Sequence, residues 1–308
     1  MTDSKQEIIQ LNSVEAYNRL YGLETYHPLV GVVNIPQMRS IERHVTFNYG
    51  LYALFLKHGA NCTLRYGREV YDYQAGTIVT FSPGQVVSID NEPDTLLPAV
   101  SGLVFHPDIL FGTSMAGKMR QYSFFDYDER ESLHLSEREQ SVITDLFNSI
   151  SSEIEHPVDR HSQTLITDRI ALILDYCMRF YDRQFITRHK VNSTLLENFL
   201  VQLDDYFASG TAAREGLPQV SYFADKACLS TSYFGDLIKK ETGINAKKYI
   251  QNKVIDISKR FLTEEHGSIN EVAYRLGFQY PQHFTRVFKM NTGMTPGQFV
   301  KDSHNFAV

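Results

Sequence analysis

Short apolar runs at residues 29–35, 47–56, 77–81 and 99–105 are separated by Gly, Pro and Asn, with Ser82-Pro83-Gly84 as the clearest turn, and this pattern predicts β-strands. Between them, Leu64-Arg65-Tyr66-Gly67-Arg68-Glu69-Val70-Tyr71-Asp72-Tyr73 alternates tyrosine with polar residues, as expected of strands with one wet face. A small β-barrel or sandwich over the first part of the chain, to about Pro107, accommodates these runs. The period then changes. Leu135-Ser136-Glu137-Arg138-Glu139 reads as an N-cap and an acidic first turn, followed by Val142, Ile143, Leu146 and Ile150 at helical spacing. Over residues 164–185 a second stripe recurs: Leu165, Ile166, Ile170, Ile173, Leu174, Cys177, Met178 and Tyr181. Such a stripe covers either the chain's own barrel or its twin in a dimer, and periodicity alone does not choose between them.

The third part repeats itself. Sliding the chain by 50 residues lays Tyr233-Phe234-Gly235-Asp236-Leu237-Ile238-Lys239 over His283-Phe284-Thr285-Arg286-Val287-Phe288-Lys289, and Thr242-Gly243 over Thr292-Gly293. Each copy reads as a helix closed by a left-handed glycine. A shorter helix precedes each, at residues 220–227 before the turn Cys228-Leu229-Ser230 and at 269–276 before Gly277-Phe278-Gln279, with Ala224 matching Ala273 where the helices cross. Helix, tight turn and helix form the unit that lays its second member in the DNA major groove.

Successive helical residues turn by about 100°, so Phe234, Leu237 and Ile238 share one arc, as do Phe284, Val287 and Phe288, and these are expected to be buried anchors. The opposite arcs carry Ser232, Gly235, Asp236 and Lys239 in the first copy and Gln282, Thr285, Arg286 and Lys289 in the second. Gln282 and Arg286 suit paired hydrogen bonds to adenine and guanine edges. Asp236 only accepts, and Gly235 offers close approach. The second head is therefore expected to discriminate more, with Thr231, Ser232 and Lys239 positioning the first on the backbone. Between the heads, residues 246–262 form one amphipathic helix on Tyr249, Ile250, Val254, Ile257 and Phe261, long enough with its flanking turns to hold the recognition helices about 34 Å apart, one turn of B-DNA.

Charge sharpens this picture. The chain of 308 residues has a net charge of −6, but residues 215–301 carry 12 Lys and Arg against 8 Asp and Glu, while residues 1–214 carry 18 against 27. A basic segment behind an acidic body can bind phosphate locally. The first ten residues lack a secretory pattern and no apolar run reaches membrane-spanning length, so a cytoplasmic protein is expected. Three scattered cysteines, Cys62, Cys177 and Cys228, fit reduced core thiols.

Residues 195–300 resemble the AraC/XylS family of bacterial transcription regulators, most sharply at Ile269-Asn270-Glu271-Val272-Ala273-Tyr274-Arg275-Leu276-Gly277-Phe278 and on through Gly293-Met294-Thr295-Pro296. The resemblance implies an α+β multidomain protein: a cupin-like ligand-sensing barrel at 1–134, a helical linker or dimerisation segment at 135–192, and an all-α DNA-binding domain at 193–308 with helix-turn-helix units at 220–241 and 269–291 joined by a linker helix. By the same likeness Ser232, Gly235, Asp236, Gln282, Thr285 and Arg286 face the groove. Gly235 and Asp236 depart from the better-known members, where longer donors are common. The implied partners are double-stranded DNA, a small-molecule effector, a second copy of the chain and RNA polymerase, with activation as the implied mode.

Two alternatives stay open at this level. A regulator without a ligand would use the barrel only for assembly, whereas an effector site would draw on Tyr49, Tyr66, Tyr71 and Tyr73. A cupin metal enzyme is disfavoured because His44, His58 and His106 lack the close spacing of such sites, and a methyl-accepting repair role because Cys62 has no zinc-like partners. No catalytic residue, metal or cofactor is expected.

Overall fold

The computed structural model describes residues 8–39, 44–59, 76–90, 96–263 and 268–305, and the chain divides into two compact units, Met1–Arg188 and His189–Val308. The first contains strands β1 (Ile8–Leu11), β2 (Val30–Ile35), β3 (Met38–Arg39), β4 (His44–Tyr49), β5 (Tyr52–His58), β6 (Gly76–Phe81), β7 (Val86–Asp90), β8 (Leu96–Leu97), β9 (Val100–Phe105) and β10 (Leu133–Leu135). Its helices are α1 (Val14–Tyr21), α2 (Met115–Lys118), α3 (Glu137–Ile154) and α4 (Ser162–Thr187). The second is helical: α5 (His189–Ala208), α6 (Thr211–Glu215), α7 (Val220–Lys226), α8 (Thr231–Thr242), α9 (Ala246–Thr263), α10 (Ile269–Arg275), α11 (Pro281–Thr292) and α12 (Pro296–Asn305).

Among the described residues the strands form three sheets, ordered β1-β4-β7, β10-β6-β5-β9-β2 and β3-β8, and their hydrogen bonds do not close into the expected barrel. The first two sheets share one core, in which Leu11, Phe47 and Tyr49 meet Val33, Ala53, Phe55, Val79 and Val104, with Val14 and Tyr17 of α1 at its margin. The predicted single run at 47–56 is two strands. β4 belongs to the three-stranded sheet and β5 to the five-stranded one, and Leu51 at the crossing is fully buried, so the one turn former between the strands, Gly50, reads as an isolated glycine inside an apolar run.

The five-stranded sheet is covered on both faces, which is why β5 reads as a continuous apolar run rather than an alternation. Ala53 and Phe55 face the shared core, while Leu54 and Leu56, also fully buried, face the opposite side. There α3 lies against β2, β9 and β10, and α4 against α3 and β10. The apolar stripe of α4 is therefore spent inside its own chain: Ile166, Ile170, Ile173, Leu174, Cys177 and Tyr181 are buried, although Leu165 of the same predicted stripe points outward at 42% exposure. Ser136 caps α3 as expected, accepting from the Glu139 amide while the Glu139 carboxylate accepts from the Ser136 amide.

His58 ties α3 to the sheet. Its Nδ1 accepts from Gln140 Nε2 at 2.7 Å, which leaves the proton on Nε2 to be donated to Ser101 Oγ, also at 2.7 Å. Burial holds this imidazole, and that of His27, below the usual value of 6.5. The unfolded chain takes up these protons at a pH where the folded chain still resists them, so this part of the stability is present above the ordinary histidine range and is lost as pH falls through it. The thermal midpoint is expected to drop between about pH 7.5 and about pH 5.5, with a shallower slope in His58→Gln; an unaltered slope in that variant removes His58 from the account.

Candidate nucleic-acid interface

The two copies seen in the sequence are two superimposable hydrogen-bond patterns. In the first, Leu229 N donates to Ala224 O and Cys228 N to Asp225 O; in the second, Phe278 N donates to Ala273 O and Gly277 N to Tyr274 O, each at 3.0 Å. The recognition helices end alike: Gly243 and Gly293, with φ of 78° and 83°, donate to Lys239 O and Lys289 O. Thr242 and Thr292 each donate their hydroxyl back to the carbonyl four residues earlier, at Ile238 and Phe288. The turn itself differs in length, being one residue longer between α10 and α11 than between α7 and α8.

Their starts are built from different chemistry. Ser230 caps α8 by accepting from Tyr233 N at 3.1 Å, whereas α11 has Tyr280 at the cap position without a side-chain bond and Pro281 at its first turn, where the missing N–H loses no helical partner. The turn positions also contrast. Gly277 adopts a φ of 88°, and the matching Cys228 is the one described residue other than glycine with positive φ, at 55°. Cys228 is exposed, which corrects its reading as a core thiol: it sits on the outside of a tight turn. Cys177 is buried, as expected, and Cys62 lies outside the described residues.

The inward arcs are buried. Phe234, Leu237 and Ile238 in α8 and Phe284 and Phe288 in α11 are 1% exposed or less, whereas Val287 is only half-buried. Tyr233, not singled out by the wheel, is buried as deeply. Ala224 and Ala273 are fully buried at the helix crossings, as small residues must be where backbones approach. Each head then finds its own support. Phe199 of α5 stands edge-on to Phe223 and Phe234, and Phe299 of α12 stands edge-on to Phe288. α9 contacts α8, α10, α11 and α12 and buries Ile250, Val254, Ile255, Ile257, Phe261 and Leu262, so a single rod joins both heads.

On the outward arcs, Thr231, Lys239, Gln282, Arg286 and Lys289 are exposed, and Ser232, Gly235, Asp236 and Thr285 are half-exposed. Among the described residues no hydrogen bond or ion pair engages Gln282 or Arg286, which sit one turn apart on α11. The same elements carry further exposed residues that the wheel did not mark: Lys247 and Lys248 open α9, and Tyr274, Tyr280 and Met290 of the second head are 54%, 65% and 77% exposed. The doubled lysine was visible in the sequence; the three apolar residues gave no periodic signal. In the first unit, Tyr49 is buried and stacks on Phe81 at 4.8 Å, and Tyr66, Tyr71 and Tyr73 lie outside the described residues. His106 caps the short helix at Pro107–Leu110 by accepting from Asp108 N.

Residues 223–302 match the family model described as a helix-turn-helix domain. Over 242 residues the chain is 24% identical to the uncharacterized HTH-type transcriptional regulator YijO of Escherichia coli, covering 77% of this chain and 79% of that one. It is 23% identical over 233 residues to the arabinose operon regulatory protein of Salmonella typhimurium, covering 75% and 76%. Among solved structures, ToxT of Vibrio cholerae aligns over 88% of this chain and 98% of its own at 13% identity, with a TM-score of 0.28, too low to bear on the arrangement of the units. The fold and the duplicated heads define a transcription regulator with a double helix-turn-helix DNA-binding domain. Through that domain the chain is similar to AraC-type transcription regulators. No helix among the described residues is long and apolar enough to cross a membrane.

Proposed function

We propose that α8 and α11 enter successive major-groove turns on one face of the duplex, and that sequence is read chiefly by the second head. One observation carries this reading: Gln282 and Arg286 stand exposed and unengaged on one side of a helix whose other side is buried. Both match base edges in the major groove: Gln282 can donate to adenine N7 while accepting from its N6 amino group, and Arg286 can donate to both N7 and O6 of guanine. Thr285 lies between them, and Lys289 reaches phosphate. In the first head Thr231, Ser232, Gly235, Asp236 and Lys239 set the position on the backbone, and Lys247 and Lys248 add charge at the adjoining end of α9. The 18 residues of α9 span about 27 Å, which with its flanking turns suits one turn of B-DNA.

The test is binding by the full chain to fragments it selects from a random-sequence pool. Arg286→Ala and Gln282→Ala are each expected to weaken binding by about 1–3 kcal/mol and to relax preference at a single base pair. Lys239→Ala should weaken all sequences alike and lower the salt slope by about one. Unchanged affinity and preference in both α11 variants defeats the assignment.

The domain limits read from the sequence, 1–134, 135–192 and 193–308, serve this division of labour. We assign the first unit, a cupin-like sandwich, to sensing a small molecule. A cavity of about 240 Å³ opens between β6 and β7, lined by Thr80, Phe81, Ser88, Tyr127, Glu129 and Tyr181; its mixed aromatic and polar lining offers both stacking faces and hydrogen-bonding groups to a small polar effector. The protein then works in the bacterial cytoplasm as a homodimer that bridges two half-sites and acts on RNA polymerase as an activator.

A further inference from the structure

Gly235 stands in the middle of α8, where glycine destabilises a helix relative to alanine. Nothing among the described residues explains it. Its backbone is not among those with positive φ, and a Cβ built on it meets no atom within 4 Å. The duplication supplies an internal control, because the matching position of α11 holds Thr285 in the same kind of helix. The fold thus accepts a β-branched side chain at this position, and the first head goes without one. Gly235 lies on the outward arc with Ser232 and Lys239, half-exposed, on the side opposite the buried Phe234, Leu237 and Ile238.

We propose that Gly235 is a positioning residue kept bare so that the wall of the DNA groove can close on the α8 backbone. The first head then fits the duplex by proximity, where the second fits it by side-chain reach. This deepens the groove-facing reading of α8 and α11 and rests on it. A methyl group here fills space that only the complex needs, so it should separate stability from binding, which a structural role cannot do.

The experiment uses the full chain and DNA fragments that the unmodified protein enriches from a random-sequence pool. Gly235→Ala and Gly235→Thr are compared with Arg286→Ala by thermal midpoint and by fragment affinity. Gly235→Ala is expected to raise the midpoint and to weaken binding by about tenfold or more, with Gly235→Thr weaker still. A raised midpoint with unchanged affinity overturns the proposal, and so does a lowered midpoint, which makes the glycine structural. Arg286→Ala tells the two failures apart. If it loses affinity while Gly235→Ala does not, only the role of Gly235 is wrong; if neither loses affinity, the groove-facing reading falls with it.

Discussion

Gly277→Ala is expected to unfold much of the second head, at a cost of about 3 kcal/mol or more, from two sources that add at one atom. The first is conformational: at a φ of 88° a Cβ runs against the backbone, which costs about 1–2 kcal/mol for an L-residue. The second is steric. A Cβ there would lie 2.5 Å from the carbonyl carbon of Gly216 and 2.7 Å from the oxygens of Ala212 and Gly216. All three are backbone atoms of α6 and of the glycine that closes it, so no side chain can swing aside. The turn would have to lift off α6 and carry with it Phe278, which is 3% exposed and packed edge-on to His283 and tilted against Phe284. Cys228→Gly provides the opposite control at the matching turn. It relieves the strain of a φ of 55°, offset by the greater freedom of glycine in the unfolded chain, so its stability should stay within about 1 kcal/mol of the parent. Denaturant midpoints with fluorescence or circular dichroism check both. A Gly277→Ala protein as stable as the parent would remove the turn from any structural role.

The double helix-turn-helix was legible in the sequence because its information is local and stated twice. Anchors, crossing alanines and closing glycines recur at fixed offsets, and a helical wheel needs nothing more. The boundaries of α7, α8, α10 and α11 fall within a residue or two of expectation for the same reason. Legibility failed where one segment depends on another. The buried crossing at Leu51 joins two sheets and looks like the interior of a single strand. Tyr233 shares its place in the repeat with His283, yet the tyrosine is buried and the histidine exposed, because the neighbours of the two heads differ. The reading face itself was legible as a face, since the opposite arc is apolar. The use of each residue on it was not, because a wheel gives direction and says nothing of what approaches from outside.

The unequal chemistry of the two heads follows from the same duplication. The first head holds short or small groups at Ser232 and Gly235 and is followed by Lys239, Lys240, Lys247 and Lys248; the second holds Gln282 and Arg286, and its counterparts of the last three lysines are Met290, Gly297 and Gln298. Asp236 and Glu241 offset two of those lysines, so attraction to phosphate is shared by both heads, while hydrogen-bonding reach concentrates on the second. Held on one rod, the two ends combine an affinity that salt weakens with a preference that salt leaves largely intact.

Phe199→Ala is expected to cost about 3–5 kcal/mol and to disable the first head, although Phe199 lies outside the residues that match the family model. Its ring is 2% exposed, and its centroid stands 5.0 Å from that of Phe223, 5.4 Å from Phe234 and 5.8 Å from Tyr249. It therefore touches one residue from each of α7, α8 and α9, and the cavity left by alanine opens beneath the point where the three helices meet. The signal for α5 was present in the sequence: Phe199, Leu203, Tyr206 and Phe207, all buried, follow the four- and three-residue spacing of a helix face. Tyr206 extends the support by donating its hydroxyl to Gly216 O at 3.1 Å; Gly216 is the residue whose backbone seats the turn of the second head at Gly277. α5 thus underlies the first head directly and the second through α6. Loss of stability in Phe199→Ala should accordingly come with weaker DNA binding at temperatures where the first unit is still folded. Calorimetry and binding isotherms on the same sample would show it; a variant that keeps both its unfolding transition and its affinity would mean that residues 223–302 stand without α5.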